Sequence, residues 1–292
     1  SISTFYQNSY YKYGSTYKMC ILFIYSALNS EEIGDYSFIL ASNRDEYYDR
    51  PAQEAGPWEE DPSVIGGRDM EKGREGGTWL AISPKRSKLA ILLNLSGNPK
   101  QNAKGRGNIV ADYVKSSQSI EDYIKTLEPY TEEFNDFSMV TAQFGRDISK
   151  VQNYTNVINK LRNFDENYLG FGNSLPDVPL MKVVQGKEKF QDICEKYNKI
   201  DKKGILIEEL IKLLKWDQRH LPDAELKRRC PYTYENLSSV YVNIPEGRYG
   251  TRTHTVILVT KSGQVEFHES TMEPPIDPQN PNWKNNTFLS ML

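Results

Sequence analysis

The stretch YKMCILFIYSAL, residues 17–28, decides how the rest of the chain is read. Its apolar run CILFIY has the length of a strand and falls far short of the roughly 18 residues of a membrane span. Cys20 stands at the mouth of that run, directly after Met19. Read through Met19, Cys20 is an ordinary strand cysteine. In a chain trimmed to Cys20, one residue carries both a free thiol and a free amine, which is a catalytic arrangement.

Outward from this run, YSFILAS (36–42) forms a hairpin with it across a polar loop. A Gly-, Pro- and charge-rich segment spans 43–77, and GTWLAIS (77–83) and KLAILLNL (88–95) form a second strand pair. These runs are continuously apolar, so both faces of each strand are expected to be covered. GNIVADYVKSS (107–117) and SIEDYIKTLEPY (119–130) read as helices, the second with Ile120, Ile124 and Leu127 at helical spacing and Ser119 as N-cap. Strands return at FSMVTAQF (137–144) and around 150–155, and NYLGFGNS (167–174) is a strand entering a turn. Helices follow near 186–198 and at GILIEELIKLLKW (204–216), then strands at SVYVN (239–243), THTVILVT (253–260) and GQVEFHE (263–269). Strands, paired helices, strands, paired helices, strands: this order suits an α+β protein with two packed sheets and helices outside them. No linker divides residues 19–292, which are read as one domain. Residues 1–18, Tyr- and Ser-rich without an acidic residue, are read as a disordered extension or non-native leader.

The net charge of −3 gives no nucleic-acid signal. Three cysteines without CxxC spacing argue against a disulfide framework or a cysteine-built zinc site, and favour a reducing compartment. No metal-ligand spacing is recognised. The sequon at Asn94 falls in a strand expected to be buried, so no glycan is expected there.

Polar residues interrupt the apolar strands or stand at their ends. Arg44 and Asp45 leave the second strand, Asn94 interrupts AILLNLSGN, Asn173 ends LGFGNS, and Arg252 opens GTRTHTVILV. Buried without partners, such groups cost free energy, so they need each other or a ligand. One reading is that they tie strand ends together. The other assembles them around Cys20. The α-amine of a terminal cysteine titrates near pH 8 (about 7.7–8.0) and can act as base for its own thiol. Asp45 would orient the ammonium, Arg44 and Arg252 would favour thiolate and bind a substrate anion, and Asn94 and Asn173 would face an oxyanion.

Met19-Cys20, NRDE (43–46), GGTWLAIS (76–83), GRGNIV (105–110), LGFGNS and YGTRTHTVILV (249–259) resemble, in order, the transport and Golgi organization family, the NRDE proteins. The resemblance covers about residues 19–292. It implies a four-layer αββα sandwich of two packed, mostly antiparallel sheets flanked by helices, like that of the N-terminal-nucleophile hydrolases. Cys20, Arg44, Asp45, Asn94, Asn173 and Arg252 are similar to the site of penicillin V acylase-type enzymes. Removal of Met19 would expose Cys20. The family also implies roles in secretion and Golgi organisation, haem trafficking, and mitochondrial and acyl-CoA or lipid homeostasis. The expected locations are cytoplasmic, with Golgi-associated and mitochondrial pools reached through partners.

No cofactor is required on this reading, and haem enters as cargo. Thiolate and imidazole are the usual protein ligands to haem iron. Cys230 in RRCPY and His254 on a predicted strand are therefore candidate ligands, beside the alternative of plain structural roles. KGRGNIV (104–110) enters a helix through glycines. Lys104 and Arg106 there would suit phosphate or carboxylate, or the segment is simply a tight turn. The glycine-punctuated loop 66–79 is either a lid beside Cys20 or a solvated loop. Three expectations result: a carrier of haem or an acyl-CoA-type amphiphile, a cysteine amidohydrolase, or a Golgi-membrane scaffold without a small ligand.

Overall fold

The computed structural model describes residues 19–96 and 99–292, so the expectation for residues 1–18 lies outside the described residues. Strand β1 (Ile21–Ser26) is buried along its whole length. Ile21, Phe23 and Tyr25 enter one apolar cluster, and Leu22 and Ile24 enter another. Alternate side chains of a strand point to opposite faces, so a strand apolar on both faces lies between two layers.

β2 (Tyr36–Tyr47) pairs antiparallel with β1 and, along its other edge, with β12 (Tyr249–Thr260). The first sheet continues outward on the β1 side with β10 (Tyr168–Phe171). On the β12 side it continues with β13 (Gln264–Met272) and β14 (Trp283–Met291), and the short β11 (Asn243–Ile244) pairs with the start of β12. The second sheet is an antiparallel meander in chain order. Its strands are β3 (Ala52–Pro57), β4 (Ile65–Asp69), β5 (Leu80–Ser83), β6 (Lys88–Asn94), β7 (Phe137–Gln143), β8 (Lys150–Thr155) and β9 (Lys160–Phe164).

Helices α1 (Gly107–Lys115) and α2 (Ile120–Leu127) cover the outer face of the second sheet, packing Ile109 and Ile124 with Ala90 and Met139. Ser119 caps α2, accepting the Asp122 N–H at 3.1 Å. Helices α3 (Met181–Tyr197), α4 (Lys203–Leu214) and the short α5 (Ala224–Arg229) cover the first sheet, packing Phe190, Leu210 and Leu226 with Phe23 and Ala41. A third cluster, with Leu22, Leu40, Ile82 and Ile91, fills the space between the sheets. Three apolar clusters thus separate four layers, in the order helix, sheet, sheet, helix.

Several details differ from the sequence expectations. β2 runs on to Tyr47, so Arg44 and Asp45 are strand residues rather than loop residues. The 43–77 segment contains β3 and β4, whose glycines and charges suit a strand pair with a half-open face. SVYVN forms no strand before Asn243. Val240 and Val242 are buried there, and side chains meet their backbone groups, the Asn43 amide at the Val240 carbonyl and the Thr251 hydroxyl at the Val242 N–H. β9 and β14 are additional edge-side strands.

Candidate functional site at the cysteine end of the sandwich

Cys20 directly precedes β1 and packs with the cluster between the sheets. On β2, Phe38 and Leu40 face that same space, whereas Ile39 and Ala41 face α3 and α4. Alternation therefore sends Arg44 and Glu46 toward the inter-sheet side and Asn43 and Asp45 toward the helices. A pocket of about 590 Å³ opens at this end, bordered by Cys20, Arg44, Asp45, Asn94, Lys104 and Arg106. That volume lies in the range of roughly 300–1,000 Å³ typical of small-molecule sites.

The Cys20 thiol lies 4.0 Å from the Asp45 carbonyl oxygen. Burial and the Asp45 carboxylate push it up to about 12, so it is a thiol at neutral pH. The Asp45 carboxylate accepts the Thr251 hydroxyl proton at 2.6 Å through Oδ1, while its buried Oδ2 has no hydrogen-bond partner. Burial raises its carboxyl to about 7, against the pull of Lys182. The Arg44 guanidinium stacks 3.8 Å over the Trp79 ring and stands 3.9 Å from the Glu46 carboxylate.

Asn94 ends β6 at the pocket wall, and its carbonyl accepts the Asn173 amide at 2.7 Å. Asn173 therefore bridges the ends of the two sheets, with its own buried Oδ1 unpartnered. Arg252 is the extra residue of a bulge in β12, where Thr251 faces Asp45 and Thr253 faces Arg44. Its Nη1 donates to the carbonyls of Tyr47 at 2.9 Å and Arg50 at 2.7 Å. It lines an adjoining cavity of about 360 Å³ with Glu269, and the Arg44–Trp79 stack borders both cavities. Arg252 thus fixes the backbone after β2 and is not on the wall of the cysteine pocket.

Arg106 precedes α1 and donates to the Asp136 carbonyl at 2.6 Å; burial and Arg74 lower it to about 10. Lys104 pairs with Glu133. The glycines of this segment permit a close approach: a Cβ on Gly107 would stand 2.9 Å from the Gly77 Cα. The start of α1 is thereby locked to the end of the 66–79 loop, whose Lys72, Arg74 and Glu75 form the opposite rim. Cys230 and His254 are not brought to the pocket. Cys230 is buried among the helices, and burial pushes its thiol up to about 12. The His254 ring donates from Nδ1 to the Asn43 amide oxygen at 2.6 Å and stacks on Trp283 at 4.7 Å. This tautomer is required because the Asn43 amide nitrogen is already donating to the Leu214 and Val240 carbonyls. Burial lowers His254 to about 3. Both residues are packed into the core on the helix side.

Sequence reasoning missed Lys182, fully buried on α3. The signal was its place on the apolar face, four residues before Gly186 and eight before Phe190. It also missed that Asn43 ties β2 to the end of α4. Among the described residues, no helix is long and apolar enough to cross a membrane, and no group of three or more His, Cys, Asp or Glu is placed to hold a metal ion.

Fold and site together define a four-layer sandwich protein with a polar pocket floored by a cysteine at the mouth of β1. The sequence profile described as Transport and Golgi organisation 2 matches residues 19–274. Transport and Golgi organization protein 2 of Drosophila melanogaster is 40% identical over 263 residues, covering 87% of this chain and 92% of the relative. The homologue of Bos taurus is 34% identical over 261 residues, covering 87% of this chain and 93% of the relative. The homologue of Homo sapiens is 32% identical over 281 residues, covering 92% and 98%. The chain belongs to the transport and Golgi organization family.

Proposed function

We propose that the chain binds an anionic amphiphile in the cysteine-floored pocket and serves in its traffic or homeostasis. The observation that carries this reading is the pocket's lining, where Arg44, Arg50, Lys72, Arg74, Lys104 and Arg106 stand among the carboxylates of Asp45, Glu46, Asp69, Glu71 and Glu75. Arg50 is paired with Asp69, Lys104 with Glu133, and Arg44 stands by Glu46, so Lys72, Arg74 and Arg106 are the cations offered to a phosphate or carboxylate group. Trp79 and Leu92 are its main apolar walls. That balance suits the phosphate-bearing head of an acyl-CoA-type ligand better than a flat porphyrin, and haem, held through its carboxylates, is the second candidate cargo. The names of the relatives extend the proposal to transport and Golgi organization, and the motif resemblance extends it to secretion, lipid homeostasis and cytoplasmic and mitochondrial pools. Calorimetric titration of residues 19–292 with a long-chain acyl-CoA and with haem tests it. Saturable binding should weaken about tenfold or more in Arg74→Ala and with rising salt. No saturable binding of either ligand would overturn it.

A second reading, a cysteine amidohydrolase, rests on the meeting of Cys20, Arg44, Asp45 and Asn94 at one pocket. With Met19 in place the thiol is held protonated, so this chemistry belongs to a chain beginning at Cys20. Such a protein should react with acyl probes and lose the reaction in Cys20→Ala. Lack of reaction removes the reading.

A further inference from the structure

Beyond the Arg44–Trp79 stack, the adjoining cavity of about 360 Å³ lies between β3 of one sheet and β12 and β13 of the other. The proposed amphiphile binding does not use it. Two buried side chains of opposite charge line it: Arg252 is 2% exposed and Glu269 is 3% exposed. Backbone anchors one side of each. Arg252 Nη1 donates to the Tyr47 carbonyl at 2.9 Å and the Arg50 carbonyl at 2.7 Å, and Glu269 Oε1 accepts the Ala55 N–H at 2.8 Å. The other side of each is unmet among the described residues. Arg252 Nε is buried without a hydrogen bond, and Arg252 Nη2 and Glu269 Oε2 make none. The two groups do not pair with each other.

Opposite charges buried on one cavity ordinarily close on each other, because an unpaired buried charge is costly. Here their anchors lie on different segments, the chain after β2 for Arg252 and β3 for Glu269. The other charges of the lining are matched or in solvent: Lys284 pairs with Glu54 at 2.8 Å, Arg44 stands 3.9 Å from Glu46, and Glu273 is exposed. The Nε–Nη2 edge is the one with which arginines of this chain hold carboxylates side-on. Arg248 grips Asp49 that way at 2.6 and 2.8 Å, and Arg50 grips Asp69 at 3.1 and 2.6 Å. On Arg252 that edge is unused. Burial raises the Glu269 carboxyl to about 7 and lowers Arg252 to about 10, which agrees with charges still short of a counter-ion.

We propose that this cavity is a binding site for a small zwitterion of the α-amino-acid type, its carboxylate side-on to Arg252 and its ammonium toward Glu269. Such a ligand supplies what each buried group lacks. A simple carboxylate would leave Glu269 unmet, and a simple amine would leave Arg252 unmet. A phosphate would set its charge against the carboxylates of Glu54, Glu269 and Glu273. Trp79, Met272 and Pro274 offer apolar wall to a ligand side chain. The volume stands near the lower end of the roughly 300–1,000 Å³ of small-molecule sites, so the ligand is small. This site stands whether or not the cysteine pocket holds an amphiphile.

The melting temperature of the full chain is followed with each of the common L-amino acids, and the one with the largest effect is titrated by calorimetry. At about 10 mM, at least one apolar amino acid should raise Tm by about 2 °C or more. Its carboxamide, which lacks the carboxylate, and its des-amino acid, which lacks the ammonium, should each bind about tenfold or more weakly. Glu269→Gln keeps an acceptor for the Ala55 N–H but removes the charge. It should weaken the amino acid about tenfold and leave the des-amino acid no weaker. Arg252→Lys should weaken both. Because Arg252 also holds backbone, the Glu269→Gln comparison decides if that variant does not fold. The proposal is overturned if no amino acid raises Tm, if the carboxamide or the des-amino acid binds as tightly as the amino acid, or if Glu269→Gln leaves the affinity unchanged.

Discussion

The tetrapeptide at the end of β2 serves two layers at once. Arg44 and Glu46 border the pocket, while Asn43 and Asp45 point to the helices, because successive strand residues alternate. Asn43 makes its three hydrogen bonds in the helix-side core, to Leu214, Val240 and His254. Asn43→Ala leaves all three partners unmet, and about 2–4 kcal/mol of stability should be lost in urea unfolding. A loss within about 0.5 kcal/mol would show that water replaces the amide. Asp45 sets a pH dependence of the opposite sense to an ordinary carboxylate. Its carboxyl is raised to about 7 by burial, as is that of Glu269. Between about pH 4 and 7 the folded chain keeps protons that the unfolded chain has released, so these groups lower stability as pH rises through that window. His254, lowered to about 3, acts oppositely, lowering stability as pH falls below about 6.5. The difference in Tm between Asp45→Asn and the parent isolates one group, and it should shift in favour of the variant from pH 5 to pH 8. A constant difference would place Asp45 in its ionised form throughout. Cys20, Arg44, Asp45 and Asn94 were legible because they are polar groups set in or beside apolar strands. Lys182 was not, because α3 is rich in charge and a lysine on it reads as solvated.

At the scale of elements, legibility followed burial. β1, β2, β6 and β7 carry long apolar runs and were evident. β3, β4, β9 and β14 were not, since each has exposed or half-exposed polar positions and owes its conformation to a neighbouring strand. Residues 239–242 of SVYVN are of strand-forming type but form no strand, and a helix-end carbonyl, side chains and one backbone bond from Thr251 hold them, with pairing to β12 starting only at Asn243. The contact of α3 with β1 turns on Gly186. A Cβ there would come within 2.3 Å of the Phe23 ring, which is fully buried and stacked at 5.8 Å on Phe190. Alanine in a helix interior normally gains about 1 kcal/mol over glycine. Overpacking a filled core costs about 1–3 kcal/mol, so Gly186→Ala should lower the urea midpoint. A raised midpoint would mean that Phe23 has room to turn and that the helix–sheet gap is looser than the contact implies.

At the scale of the whole molecule, the second sheet is one continuous insertion, from β3 to β9, into a first sheet assembled from both ends of the described chain. The αββα order was legible from the alternation of strand pairs and helix pairs. How the edges meet was not, because it depends on the polar last strand. The family match ends at residue 274, before β14, yet β14 pairs along all nine of its residues with β13. It stacks Phe288 edge-on against Phe267 at 6.3 Å and Trp283 on His254 at 4.7 Å. It also reaches the other sheet: Glu54 of β3 accepts from Lys284 at 2.8 Å and Asn286 at 3.0 Å. The exposed ion pair contributes little, whereas each aromatic side chain removed from the interface forfeits about 1.5–3 kcal/mol of burial. A chain ending at Glu273 also leaves the backbone groups along the edge of β13 open to pairing with another molecule. With about 2–4 °C of Tm per kcal/mol in domains approaching this size, the truncated protein should melt roughly 5–15 °C lower, with concentration-dependent aggregation. An unchanged Tm would make β14 a mere covering of the edge, and the insertion would be held by the inter-sheet core alone.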